Sequence, residues 1–254
     1  MVKKILFLDI LTDDRKLRRE SERKVTKVPY SELFRKGMGI KKDVFKTIYA
    51  PQEKLPDPTQ FAGIIIGGSF HNPIPSEERP WMKKVYRFIK KVIAKKIPLL
   101  GVCGGHQFIA RALGQKIIHN PKGREFGTIE LTLTEKGKKD PLFQGIPQRF
   151  KAQLSHQCIV RRIRPNWKLL AFSESCRVQA VAINKQTRII QFHPEFKAKH
   201  LRALARTRKS TLLKEGFLKN EKDFQRFLFS IKETPQATRV LKNFLKYFVL
   251  GVMK

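Results

Sequence analysis

Pro98-Leu99-Leu100-Gly101-Val102-Cys103-Gly104-Gly105-His106-Gln107 begins as an apolar run, then turns through its glycines into Phe108-Ile109-Ala110-Arg111-Ala112-Leu113, which Gly114 closes. The run predicts a short buried strand and the segment after it a helix. A strand that passes sharply into a helix, with one reactive side chain at the corner, is a nucleophile elbow. Gly101 and Gly105 stand two residues to either side of Cys103, where Cβ atoms would collide in a tight turn. The Cys103 thiol would then lie beside the unpaired N–H groups of a helix N-terminus, which favour thiolate. The competing reading is a buried structural cysteine next to an ordinary strand-to-helix turn.

Outward from this corner the chain alternates strands and helices. Upstream, Ile5 to Asp9, Val44 to Tyr49 and Phe61 to Ile66 read as strands, the last continuously apolar as in a parallel sheet covered on both faces. Pro80 opens an amphipathic helix with Trp81, Val85, Phe88, Ile89, Val92 and Ile93 on one face. Downstream, shorter alternating runs cover 127–134, 152–160, 169–173, 178–183 and 188–192. From Ala198 onward the pattern is helical and basic. Its last helix is expected to start at Thr234-Pro235 and to carry Val240, Leu241, Phe244, Leu245 and Phe248 as a core-facing stripe. The expectation is one α/β domain over 1–254, with a core over 1–197 and C-terminal helices over 198–254.

Composition narrows the class of function. A chain of 254 residues can bury a full core, and 41% hydrophobic residues mark it as globular. Three cysteines, Cys103, Cys158 and Cys176, suit a reducing cytoplasm better than a disulfide framework, so a cytoplasmic location is expected. The short apolar run at the N-terminus is broken by Asp9, unlike a signal peptide, and no apolar segment is long enough to span a membrane. Lys and Arg number 54 against 21 Asp and Glu, a formal net charge of +33. Such a field attracts nucleic acid, yet the basic residues are spread along the whole chain without a recognition motif. Only non-specific, charge-driven binding of nucleic acid is expected, and no membrane partner.

Two further clusters can serve a cysteine at the corner. Gly67-Gly68-Ser69 follows the third strand, where free backbone N–H groups can meet a ligand at the carboxyl edge of a sheet. Gly68 and Gly104 are the expected oxyanion donors. Gln191-Phe192-His193-Pro194-Glu195-Phe196 ends the last strand and supplies a base with a carboxylate to orient it. Among the other histidines, His71, His119 and His200 are expected to be solvated, His106 to pack behind the corner, and His156 to lie in a loop near the pocket. His193 is the expected base, because it alone has such a carboxylate.

Gly101-Val102-Cys103-Gly104-Gly105-His106-Gln107 together with Gln191-Phe192-His193-Pro194-Glu195-Phe196 resembles the class I, triad-type glutamine amidotransferases. Gly123-Arg124-Glu125-Phe126-Gly127, Asp140-Pro141-Leu142-Phe143 and Ser155-His156 are similar to the branch that includes the amidotransferase half of GMP synthetase. The resemblance is tight from about Phe61 to Phe196, looser to Leu245, and weak over the first sixty residues. It implies an open, mostly parallel, flavodoxin-like sheet flanked by helices. It implies Cys103 as nucleophile, His193 as general base and Glu195 as its partner. Gly68 and Gly104 would bind the oxyanion, and Gln107, Ser155 and His156 would hold the glutamyl head group. The implied reaction is thiolate attack on a γ-glutamyl amide through a glutamyl thioester, releasing ammonia for a separate acceptor subunit, with no metal or organic cofactor. The sequence departs from the family pattern at Gly104, where a bulky residue is common, and at Gln157, where a glycine is common. With no synthetase domain following in the chain, a γ-glutamyl peptidase is the alternative. A non-catalytic, basic nucleic-acid-binding protein on the same fold is the second.

Overall fold

The computed structural model describes residues 3–252, so the outermost two residues at each end of the expected 1–254 unit lie outside the described residues. Five strands lie side by side in the order β2 (Phe45–Tyr49), β1 (Lys4–Asp9), β3 (Phe61–Ile66), β4 (Leu99–Val102) and β11 (Thr187–Ile190), and all run parallel. The sheet continues antiparallel through β10 (Ala180–Ala182), β9 (Lys168–Phe172), β6 (Glu125–Leu133) and β7 (Arg149–His156). A separate two-stranded ribbon pairs β5 (Ile117–His119) with β8 (Cys158–Val160). This is the open α/β sheet flanked by helices that the resemblance implies, parallel through five strands on one side and antiparallel through the other four.

The pleat divides the core. Ile5 and Phe7 of β1, Ile65 of β3, Leu100 of β4 and Ile190 of β11 point to one face. Their neighbours Leu6, Leu8, Ile64, Ile66, Leu99 and Ile189 point to the other. Strands buried on both faces need unbroken apolar sequence, which explains Phe61–Ile66 and the strand before Cys103. The first face is covered by α2 (Tyr30–Met38), α9 (Pro235–Asn243) and a π-helical turn over Phe244–Val249. The second is covered by α3 (Pro80–Ala94) and α4 (Gly104–Ala112), where Trp81 stacks on Phe108 at 5.6 Å between ring centroids. Each fully buried Phe or Ile of this kind contributes roughly 1.5–3 kcal/mol.

Four details differ from the sequence-based expectation. Residues 152–160 form two strands, because the chain breaks at Gln157 and β8 leaves the main sheet for the ribbon. Thr234 does precede the last helix, but its hydroxyl caps nothing and is buried without a partner. His200 is buried, with Nδ1 accepting from the Lys197 N–H at 3.1 Å, and His71 is partly buried against Asp13 at 3.0 Å, so neither is solvated. The sequence from 15 to 38 is helical: α1 (Arg15–Ser21) passes into a π-helical turn over Glu22–Thr26, which ends at Lys27 with φ 61°, and α2 follows. No helix among the described residues is long and apolar enough to cross a membrane.

The corner tolerates no side chain at its glycines. A Cβ on Gly101 would lie 2.8 Å from the Gly105 carbonyl, and one on Gly105 would lie 2.8 Å from the Ile66 carbonyl carbon and closer still to its oxygen. Ile66 is main chain in the central sheet and cannot withdraw. Gly105→Ala is therefore expected to destabilise the protein by at least the ~1–3 kcal/mol usual for overpacking. Thermal unfolding of the variant checks this, and an unchanged melting temperature would contradict the tight approach of α4 to β3.

Candidate active site

The order β3, β4, β11 brings three strand ends together at the carboxyl edge of the sheet. Segments distant in sequence thereby become neighbours: Gly67-Gly68-Ser69 after β3, Cys103 after β4, and His193-Pro194-Glu195 after β11. Cys103 has φ 50° and ψ −101°, a positive-φ conformation unusual for a residue with a side chain. Such strain persists only where the surroundings impose it, and it gathers at functional sites. Here the Cys103 N–H donates to the Ile190 carbonyl at 2.9 Å and the Gly105 N–H to the Gly67 carbonyl at 2.8 Å, fixing the corner from both sides. The corner expected from sequence is present, and Cys103 is buried there, 6% exposed.

His193 is held by its backbone, its ring face and its ring nitrogen. Its N–H donates to the Gln153 carbonyl on β7 at 2.8 Å, its ring stacks on Phe196 at 4.5 Å, and Nδ1 lies 2.7 Å from Glu195 Oε1. That bond makes Nδ1 the donor and leaves Nε2 for Cys103. Burial opposes a charged ring, but Cys103 and Glu195 outweigh it and raise the His193 pKa to about 10. At neutral pH the arrangement favours the imidazolium form of His193 beside Cys103. Burial pushes the other two thiols, Cys158 and Cys176, up to about 12, and both are inaccessible.

Tyr30 was not anticipated. Its hydroxyl donates to Glu195 Oε1 at 2.9 Å and accepts from the Gly68 N–H at 3.0 Å, tying the carboxylate to the loop after β3. Burial, then the nearby Glu195, hold its phenol well above its usual pKa, so it stays a donor. The Gly68 N–H is thus engaged by a side chain. The N–H groups of Gly104 and Ser69 donate to no group among the described residues, and both residues line one chamber with Cys103. Gly104 also explains its departure from the family pattern. A Cβ there would lie 2.6 Å from Ser69 Cβ and closer to the Ser69 nitrogen, so glycine lets the loop descend onto α4.

The head-group residues Gln107, Ser155 and His156 all line this chamber of about 340 Å³, within the ~300–1,000 Å³ range of small-molecule pockets. Gln107 spends its amide protons on the Cys158 carbonyl at 2.8 Å and Gln191 Oε1 at 3.1 Å. The ring nitrogens of His156 point away from the chamber. Its Nδ1 lies 3.1 Å from the Cys158 carbonyl, and Nε2 sits 2.9 Å from Glu125 Oε2, off the hydrogen-bonding direction. Glu125 is further bound by Ser173 at 2.5 Å and Gln179 at 2.7 Å, so His156 belongs to a buried polar cluster. His106 packs behind the corner with no exposure, and burial, helped by nearby His156, lowers it to about 3. Two arginines complete the chamber. Arg124 forms a bidentate pair with Glu215 at 2.7 and 2.8 Å, and Arg208 Nη1 donates to Ser155 Oγ at 3.0 Å. No group of three or more metal-ligating side chains occurs among the described residues.

A cysteine at a strained corner beside a histidine–carboxylate pair is the arrangement of thiol-dependent acyl transfer. Residues 31–207, more than half of the chain, match the family described as glutamine amidotransferase class-I, and the chain belongs to that family. It is 30% identical over 213 residues to γ-glutamyl peptidase 3 of Arabidopsis thaliana, covering 80% of this chain and 82% of that one. It is 37% identical over 101 residues to one subunit of the glutamine-hydrolysing GMP synthase of Pyrococcus abyssi, covering 39% of this chain and 51% of that one. The alignments to the first three curated relatives it matches span 66%, 57% and 51% of their lengths. A glutamine amidotransferase structure from Thermotoga maritima superposes with a TM-score of 0.75 at 20% identity, covering 98% of this chain and 99% of that one, which shows the fold. Membership in this family supports an enzyme of the hydrolase type.

Proposed function

We propose that this protein is a glutamine amidotransferase-type hydrolase that cleaves a γ-glutamyl amide through a glutamyl thioester on Cys103. The observation that carries the reading is the strained Cys103 corner facing His193, itself bound to Glu195 at 2.7 Å. The Cys103 thiolate attacks the γ-carbonyl carbon, and the N–H groups of Gly104 and Ser69 receive the oxyanion, with Gly68, whose N–H is held by Tyr30, shaping the loop. His193 passes its proton to the leaving nitrogen as the C–N bond breaks, leaving the thioester. Water then attacks that carbonyl while His193 takes its proton, releasing the γ-carboxylate and restoring the thiolate. Tyr30 keeps Glu195 aligned throughout. In the amidotransferase form the released ammonia passes to an acceptor on a separate protein chain, as a relative named as one component of GMP synthase suggests.

A γ-glutamyl peptidase is the second reading, favoured by the chain-long similarity to a relative of that name. Gln157 supports it. The side chain at this position reaches the chamber and accepts from Arg124 at 2.8 Å, offering contacts to a leaving group larger than ammonia. The two readings separate when glutamine and a set of γ-glutamyl dipeptides are supplied to the purified chain and glutamate release is measured. Turnover of glutamine is expected for the amidotransferase and preferential turnover of dipeptides for the peptidase. Release from neither, with or without candidate acceptor proteins, would overturn the γ-glutamyl chemistry.

A further inference from the structure

The expected head-group residues and the two arginines of the chamber around Cys103 are engaged to different degrees. Gln107 has spent both amide protons, which leaves its oxygen to accept. Arg124 is neutralised by two bonds to Glu215. The Ser155 oxygen accepts from Arg208 and keeps one neutral O–H to donate, and the His156 ring nitrogens face away toward Glu125 and the Cys158 carbonyl. One cation stands outside any ion pair. Among the described residues Arg208 has no carboxylate within 4.0 Å, Glu215 acts on it only through space, and the side-chain hydrogen-bond partner of its guanidinium is Ser155 Oγ.

Arg208 follows α6 (Ala198–Thr207), the helix that begins just after the His193–Glu195 segment. Its guanidinium lies over the Phe70 ring at 5.7 Å and lines the chamber together with Cys103 and Gln107. The Ser155 it holds is the residue whose carbonyl accepts from the Cys103 thiol at 3.9 Å, so thiol and guanidinium flank one residue. A guanidinium presents five N–H donors in a planar fork matched to a carboxylate, and here one is used by Ser155. A part-buried guanidinium with donors still open gains from a ligand carboxylate that completes its fork. Burial and the like charge of Arg124 lower its pKa to about 10, which still leaves it protonated at neutral pH.

We propose that Arg208 reads the α-carboxylate of the γ-glutamyl group, so that the enzyme selects substrates with that carboxylate free. The inference rests on the γ-glutamyl chemistry proposed above. With the carboxylate on Arg208, the neighbouring α-ammonium faces the Gln107 oxygen, and the γ-carbonyl extends toward the thiol. Arg208 is a specificity residue here and takes no part in bond making.

The test compares γ-glutamyl-p-nitroanilide with 4-aminobutyryl-p-nitroanilide, which lacks only the α-carboxylate. The unmodified protein is expected to prefer the first by roughly 10–10²-fold in kcat/KM, the scale of one hydrogen bond to a charged group. Arg208→Met is expected to erase that preference mainly through KM, leaving the second substrate within about threefold, and Arg208→Lys to restore part of it. A purely structural Arg208 would slow both substrates equally, which overturns the proposal, as does equal cleavage of both by the unmodified protein. Binding without turnover gives an independent measurement that survives failure of the hydrolytic chemistry. Calorimetric titration of the Cys103→Ala protein is expected to show glutamate at least tenfold tighter than 4-aminobutyrate, with the difference lost when Arg208→Met is added. Equal affinities would overturn the role of Arg208 even if hydrolysis is observed.

Discussion

Cys103→Ala is expected to abolish glutamate release while leaving the thermal unfolding temperature unchanged or slightly raised. Loss of the nucleophile in a comparable triad hydrolase lowers kcat by ~10⁶, because no other group can form the acyl intermediate. Fold stability is spared since the thiol donates one long bond, to the Ser155 carbonyl at 3.9 Å. The same residue is expected to dominate chemical labelling. Iodoacetamide reacts with thiolate; Cys103 lies beside the His193 base and lines an open chamber, whereas burial keeps Cys158 and Cys176 protonated up to about 12. Mass spectrometry of the briefly labelled protein should find the adduct on Cys103 well before the other two. Equal labelling of all three, or residual turnover by the alanine variant, would remove Cys103 from the mechanism.

Glu195→Gln is expected to reduce kcat/KM by ~10²-fold and to shift its alkaline limb downward. Glu195 Oε1 accepts from both His193 Nδ1 and the Tyr30 hydroxyl, while Oε2 is buried without a partner. An amide oxygen can take the place of Oε1, with the NH₂ in the unpartnered position, so the ring keeps its orientation and tautomer. What disappears is the negative charge. His193 then loses one of the causes that raise it from 6.5 to about 10, and imidazolium, the acid for the leaving nitrogen, is lost at lower pH. Stability follows the same sign. A histidine pKa raised by folding contributes fully below 6.5, and that contribution fades as pH rises through about 10. The melting-temperature gap between the two proteins should therefore narrow across that window. A gap independent of pH, or an unmoved alkaline limb, would show that Glu195 does not act on His193 electrostatically.

The sheet and the cysteine–histidine–carboxylate set were legible because each rests on a short local pattern. Phe61–Ile66 needs only its own six residues to declare a strand buried on both faces. Cys103 and His193 stand at strand ends whose adjacency follows from parallel pairing. Tyr30 and Arg208 were not legible for a different reason. Around Tyr30 the chain is basic and weakly periodic from Arg15 to Lys27, with an unusual π-helical turn, so no helix pattern leads to it. Arg208 sits in Arg206-Thr207-Arg208-Lys209, one cation among 54, and only the return of α6 over the sheet edge distinguishes it from its neighbours. His156 shows the converse. A motif placed it near the pocket and it does line the chamber, but the alternation of β7 turns its ring nitrogens toward Glu125, which no local pattern announces.

The pairing of β4 with β11 joins Leu99–Val102 to Thr187–Ile190, strands far apart along the chain, with the antiparallel half of the sheet between them in sequence. Closing so long a connection is entropically slow, since distant segments must meet before any contact offsets the lost freedom. The N-terminal strands and the β6–β7 hairpin involve shorter loops and can form earlier. Chemistry therefore waits on one of the long-range pairings of the sheet. A folding intermediate lacking only this strand pair would carry a nearly complete sheet and a thiol without its activating base, and so would be inert. Time, as well as position, keeps a reactive sulfur from appearing before the structure that controls it.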